Sequence, residues 1–574
     1  MSDKKVKVQN FERGAVILLA STIIVKVIGA IFKIPLQRLI GDLGFGYFSS
    51  AYDLFLPIYA LSMAGLPIAV SRLTAASMAE GRLNDARKTL KIAQRAFLVT
   101  GLTGFIIMLA AIVPYALMTT NTSADAMNVG ICVLMIAPTI LFCSYMSAYR
   151  GYYEGMHNMY PTAISDIIEA LGKLILGFSF AYIVLKITDN VAYAAAGALA
   201  GIMVGTIAAA AFLVLRHKIV GDPIKKEELE ASPASKTGKV ILKALVVIAI
   251  PVALSSLANN VTLFIDTFMV KWQLKNVMET SFDYVSNMYS SSVADYNASA
   301  VVLGRDVLTA SNMPTFLYGI RGEAYVLYNL IPTLTATLGI GSVPFLTTVW
   351  VEKNMTAVKK TIETIIRTTA VIAIPAGIGL CAIAPNVMGL LYEGVAPVEI
   401  GTPILRMLGI AAVFSGLSVP MTNMLQAIGK PMLPVKNIAI GAVLKIVVNF
   451  ILVGRPQLNI MGAPIGTTLC YVYIFASNMY CLIKYTGVKF NFVSVLIKPL
   501  VSALCCGGAA LGVSLLGSRF ELGNLITTGV SVIAAVIVYF IVLFAIRTLT
   551  KEDIEGFPKG KTIARVLEKL HFIK

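Results

Sequence analysis

The run Val191-Ala-Tyr-Ala-Ala-Ala-Gly-Ala-Leu-Ala-Gly-Ile-Met-Val-Gly-Thr-Ile-Ala-Ala-Ala-Ala-Phe-Leu-Val-Leu215 decides the class of this protein. It holds twenty-five residues and no charge. At 1.5 Å per residue such a helix is about 37 Å long, enough to cross the ~30 Å hydrocarbon core of a bilayer. Working outward, thirteen more runs of roughly this length flank it, from 14–37 near the start to 523–546 near the end. The composition agrees. Of 574 residues, 57% are hydrophobic and only 13% charged, with a mean hydropathy of +0.80. A soluble domain carries about 25% charged residues. A globular cytosolic enzyme, a disordered chain, a collagen and a disulfide scaffold are therefore excluded. The apolar runs are continuous and do not alternate, which argues against a β-barrel. The expectation is an all-α polytopic membrane protein with about fourteen transmembrane helices.

Charge orients these spans. The chain has 47 basic and 30 acidic residues, a net charge of +17. With the N-terminus placed inside, thirty-four Lys and Arg fall in predicted inside segments and seven in outside ones. This asymmetry follows the positive-inside rule, predicts both termini in the cytoplasm, and leaves no need for a nucleic-acid partner. The start of the chain, with Lys4, Lys5, Lys7 and Arg13, leads into an apolar run that lacks a small-residue cleavage site, so a retained first helix is expected. The seven cysteines all sit in apolar segments, and His157, His217 and His571 are scattered, so no metal-ligand spacing is present. Outside, the longest loop is expected from Trp272 to Thr315, rich in Ser, Asn, Tyr and Asp.

The chain also repeats itself at an offset near 272. The segment Gly65-Leu-Pro-Ile-Ala through Asn84-Asp-Ala-Arg-Lys88 has a partner in Gly339-Ile-Gly-Ser-Val through Met355-Thr-Ala-Val-Lys359. Pro161 and Pro434 open corresponding helices, with Lys173 and Lys445 at matching depth. Six spans separate the copies, so the repeat is parallel, as in transporters whose halves rock about a central site. The expected organisation is a six-helix lobe over 1–225, a second over 226–484, two additional helices over 485–548, and a cytoplasmic basic tail over 549–574. That tail reads as a solvated segment or a short amphipathic helix on the membrane surface.

Ionisable residues inside a bilayer cost about 2.5–3.5 kcal/mol on insertion scales and usually face a cavity or a partner. Lys26 and Lys33 share a face of span one with Ala30 and Gln37. In span five Asp166, Glu169 and Lys173 share a face, and Glu169 and Lys173 have the i, i+4 spacing of a self-neutralising pair. Asp53, Asp266, Arg321, Glu323, Arg406 and Lys445 complete the set of candidate cavity residues. Lysines in a cavity suit an anionic headgroup such as a pyrophosphate. The sequence has no Walker loop, no Gly-x-Ser-x-Gly elbow and no HExxH, and Asp283, Asp295 and Asp306 of the outer loop form no recognisable catalytic arrangement, so no enzyme is expected.

The inside loop Arg72-Leu-Thr-Ala-Ala-Ser-Met-Ala-Glu-Gly-Arg-Leu-Asn-Asp-Ala-Arg-Lys88 resembles that of the multidrug/oligosaccharidyl-lipid/polysaccharide flippase superfamily. Arg150-Gly-Tyr-Tyr-Glu-Gly-Met-His-Asn-Met-Tyr-Pro-Thr-Ala-Ile-Ser165 is similar to the signature of its polysaccharide-transport branch, which holds the stage V sporulation protein B-like proteins and the lipid II flippases. Tyr318-Gly-Ile-Arg-Gly322 and Val343-Pro-Phe345 continue the likeness. The resemblance implies export of an undecaprenyl-pyrophosphate-linked saccharide, above all the peptidoglycan precursor, across the cytoplasmic membrane by alternating access. It implies basic residues in a central cavity, with Lys26, Lys33 and Arg321 in comparable places, although the first helix lacks the arginine motif of the lipid II flippases. Membrane lipids and cell-wall synthesis proteins are the implied partners. No cofactor is expected beyond a coupling ion, Na+ or H+, with Asp53, Asp266 or Glu169 as ion sites. A cation-coupled multidrug exporter of the same fold is the second expectation.

Overall fold

The computed structural model describes residues 11–548 apart from 64, 489 and 547. Lys4, Lys5 and Lys7 and the expected tail at 549–574 lie outside the described residues. No strand occurs among the described residues, and the chain is an all-α membrane protein. Packing divides it into two compact units, Met1–Phe282 with Asn297–Gly319, and Asp283–Tyr296 with Ile320–Lys574.

The first unit contains α1 (Phe11–Met63), α2 (Leu66–Ala79), α3 (Leu83–Thr119), α4 (Ser123–Ile136), α5 (Thr139–Gly155), α6 (Tyr160–Thr188), α7 (Val191–Ile219), the short α8 (Lys226–Ala231) and α9 (Gly238–Ile265). A wide π turn, Asp266–Val270, carries α9 into α10 (Lys271–Met288), and α11 (Ser290–Val302) and α12 (Met313–Tyr328) follow. Local chemistry sets these limits. Pro161 sits in the first turn of α6, where its missing N–H is not needed. Asp189 ends α6 in the left-handed region, and the Asn190 side chain accepts from the N–H groups of Ala192 and Tyr193 to start α7. Gly41, at φ 68°, breaks α1 between the two spans read from sequence, so a single glycine stands where a loop was expected. Small residues bring α6 against α7: a Cβ on Gly172 would lie 2.5 Å from Gly205 Cα, and one on Gly201 2.4 Å from Gly177 Cα.

The second unit contains parts of α10 to α12, then α13 (Leu330–Val351), α14 (Met355–Ala382), α15 (Ala384–Leu391), α16 (Thr402–Ala427), α17 (Met432–Val453), α18 (Gly462–Thr486), α19 (Lys498–Arg519) and α20 (Asn524–Ala545). Lys173 and Lys445 stand equally far into their helices, thirteen residues past Tyr160 and Met432 (173 − 160 and 445 − 432).

One expectation changes and one is met in part. Eleven helical stretches among the described residues are long and apolar enough to cross a membrane, against about fourteen expected. The kinked stretch Ile24–Ala79 counts once, and the spans read at 241–270 and 316–350 are not among the eleven. A break at Asn329 divides the latter, leaving α12 only 16 residues long. The stretch 272–315, expected as an outer loop, is mostly helical. Its composition is polar, but Leu274, Val277, Met278 and Val285 recur at helical spacing, and all four are buried.

Candidate functional site

In the first unit the site is built on a ladder of rings along α1. Phe45, Phe48, Tyr52, Phe55 and Tyr59 follow one another at centroid distances of 5.7, 5.6, 6.1 and 5.3 Å. Residues three or four apart share a helix face, and stacking fixes each ring. Tyr52 thereby holds two cations. Lys33 Nζ lies 4.9 Å from its ring centroid and Lys173 Nζ 4.7 Å, and Lys173 donates to the Tyr52 hydroxyl at 3.0 Å. Lys26, exposed on α1, and Asp53 lie within electrostatic reach of Lys33.

The acids of α6 do not reach these lysines, because Arg150 takes them. Arg150 Nη2 lies 2.8 Å from Asp166 and 3.1 Å from Glu169, and its Nε donates to Ser165 Oγ at 3.0 Å. The i, i+4 pairing of Glu169 with Lys173 is thus replaced by a bridge from α5 to α6. The guanidinium fork can serve two carboxylates at once, which an ammonium on the same helix does less well. Periodicity singles out neither Arg150 nor Tyr52. The Arg150-Gly-Tyr-Tyr-Glu-Gly155 motif was the one signal for the arginine.

A second cluster lies where α9 passes into α10. Lys271, one residue before the expected outer loop, is fully buried. It donates to Ser50 Oγ at 2.9 Å, and the rings of Tyr115 and Tyr318 stand 5.8 and 5.7 Å away. Tyr318 donates to Asp53 at 2.9 Å. Asp125 accepts from Tyr47 at 2.6 Å, from Thr122 at 2.8 Å and from Ser311. Lys271 lies beyond the eleven apolar stretches, and burial pushes its ammonium down to about 7 against the opposing pull of Asp125 and Asp53. Asp266 is buried in the π turn just before it.

In the second unit Arg321 and Glu323 are fully buried on α12. The Arg321 guanidinium lies 3.9 Å from the centre of the Tyr325 ring, whose hydroxyl is 2.9 Å from Thr467 Oγ1. Tyr392 donates to the Glu323 carbonyl oxygen at 3.1 Å. Lys445 and Asn449 are buried on α17, whereas Arg406 is exposed on α16. The structure therefore brings Lys33, Lys173 and Asp53 together in the first unit and buries Arg321, Glu323 and Lys445 in the second, with Lys26 and Arg406 at the surface.

Residues 11–304, just over half of the chain, match the family described as polysaccharide biosynthesis protein. The chain belongs to that family. Residues 334–547 match the family described as lipid II flippase MurJ. Two curated relatives from Bacillus subtilis (strain 168) are each 24% identical. The lipid II flippase MurJ aligns over 90% of this chain and 89% of its own, and the stage V sporulation protein B over 97% and 99%. Among solved structures, lipid II flippase MurJ in an inward closed conformation has a TM-score of 0.63 at 13% identity, covering 92% of this chain and 98% of that one. An inward-facing multidrug resistance MATE family transporter of the MOP superfamily has a TM-score of 0.62 at 15% identity, covering 82% and 98%. The protein is a multi-pass membrane protein with the fold of the MOP transporters.

Proposed function

We propose that this protein exports an undecaprenyl-pyrophosphate-linked saccharide, foremost lipid II, across the cytoplasmic membrane by alternating access, with both termini inside. The observation that carries the reading is the pair Lys33 and Lys173 on one tyrosine, with the two acids of α6 already claimed by Arg150. Two ammonium groups so placed complement a pyrophosphate, and cation repulsion there opposes a cationic drug. Arg321 and Lys445 supply further positive charge on the second unit. The test is translocation of lipid II in proteoliposomes holding only this protein, read by access of an external reagent to the headgroup. Wild-type protein moves lipid II. The double variant Lys33→Gln/Lys173→Gln, equally folded, loses at least tenfold in rate. A double variant with wild-type rate overturns the assignment of these lysines, and folded wild-type protein that moves no lipid II overturns the substrate.

A further inference from the structure

Lys271 plays no part in the Lys33–Tyr52–Lys173 cluster, and its surroundings suit a neutral amine. An ammonium carries three donors and no acceptor. Here one donor goes to Ser50 Oγ, and that hydroxyl in turn donates to the Gly46 carbonyl at 2.6 Å. Among the described residues Lys271 makes no other hydrogen bond and no ion pair with a carboxylate. The polar neighbours are engaged elsewhere. Tyr115 donates to the Ser50 carbonyl at 3.2 Å and Tyr318 to Asp53 at 2.9 Å, while Asp125 receives Tyr47, Thr122 and Ser311. The titratable groups facing Lys271 are therefore Asp53 from α1, Tyr115 from α3, Asp125 and Cys132 from α4, and Tyr318 from α12, with Asp266 in its own π turn. An enclosed ammonium with one hydrogen bond, no contact ion pair and only two distant ring contacts, at 5.8 and 5.7 Å, is costly, whereas the same group in water is not. The residue also caps a π turn, a helix irregularity frequent at functional sites.

We propose that Lys271 is a proton-binding switch, a neutral amine while enclosed and an ammonium once its pocket opens to water. The step is Lys–NH2 + H3O+ → Lys–NH3+ + H2O, with no other group altered. The sign follows from linkage. Enclosure lowers the affinity of Lys271 for a proton, so acid favours the open state and alkali the enclosed one. Joined to the flippase reading, on which this consequence rests, it makes a proton gradient a driving force.

The chain carries its own reporter. It has two tryptophans, Trp272 beside the switch and Trp350. In a Trp350→Phe background, Trp272 emission is recorded from pH 5 to 9 on purified full-length protein. A single-proton transition near neutral pH is expected. Lys271→Met abolishes it, and Lys271→Arg holds the acid-side emission throughout. Asp125→Asn moves it to lower pH, because a charge favouring the ammonium is gone, and Cys132→Ser leaves it in place. Absence of a transition in the parent, or its survival in Lys271→Met, overturns the switch. If Lys271→Met fails to fold, a transition surviving in Lys271→Arg overturns it equally. In proteoliposomes an imposed pH gradient speeds lipid II translocation in the parent and not in Lys271→Arg. A fluorescence transition without lipid II movement refutes the substrate and spares the switch, and movement without a transition does the reverse.

Discussion

Replacing Arg150 by methionine keeps the length of the side chain and removes the cation that holds Asp166 and Glu169. The two bridges, at 2.8 and 3.1 Å, join side chains that are 14%, 25% and 30% exposed, so water screens them only in part. Removing one partner of such a buried network costs about 3–5 kcal/mol, most of it from carboxylates left without a cation. The nearest remaining cation on the same helix is Lys173, one turn beyond Glu169. The freed carboxylate therefore draws Lys173 from Tyr52, and transport falls along with stability. The triple variant Arg150→Met/Asp166→Asn/Glu169→Gln removes charge and counter-charge together. It recovers more than half of the lost stability, because no uncompensated charge remains, and it returns Lys173 to Tyr52. Thermal unfolding in detergent, followed at one scan rate, measures the first effect and lipid II translocation the second. An Arg150→Met protein as stable as wild type refutes the reasoning. So does a triple variant no more stable than the single one.

Two further outcomes are expected. Gly319→Ala places a Cβ 2.1 Å from the Asp42 carbonyl oxygen, which forces α12 off α1 and lowers the unfolding temperature, whereas Gly508→Ala, with open space around it, leaves that temperature unchanged or higher. Tyr52→Phe keeps the ring and both cation–π contacts but loses the hydrogen bond from Lys173, so transport should fall several-fold while Lys33→Gln/Lys173→Gln falls by tenfold or more. A Tyr52→Phe protein as impaired as the double lysine variant would show that the hydroxyl, not the paired charge, carries the effect.

The sequence alone determined the membrane class and the helical character. Those properties are sums over local composition and over the length of apolar runs, and no distant contact alters them. It also picked out Lys33, Asp53 and Lys173, because an ionisable residue in an apolar run is conspicuous by itself. Helix spacing shows which residues share a face of one helix, but not which other helix lies against that face. That choice belongs to tertiary packing. Arg150, from α5, took the glutamate that local spacing offered to Lys173. A polar stretch at 272–315 is mostly helical and buries its apolar face. Lys271, which composition did not single out, is enclosed by residues from α1, α3 and α12 that are distant along the chain. Burial and partner choice are properties of the assembled core, and these two decide which charges are paired, which are held by a tyrosine, and which one can switch.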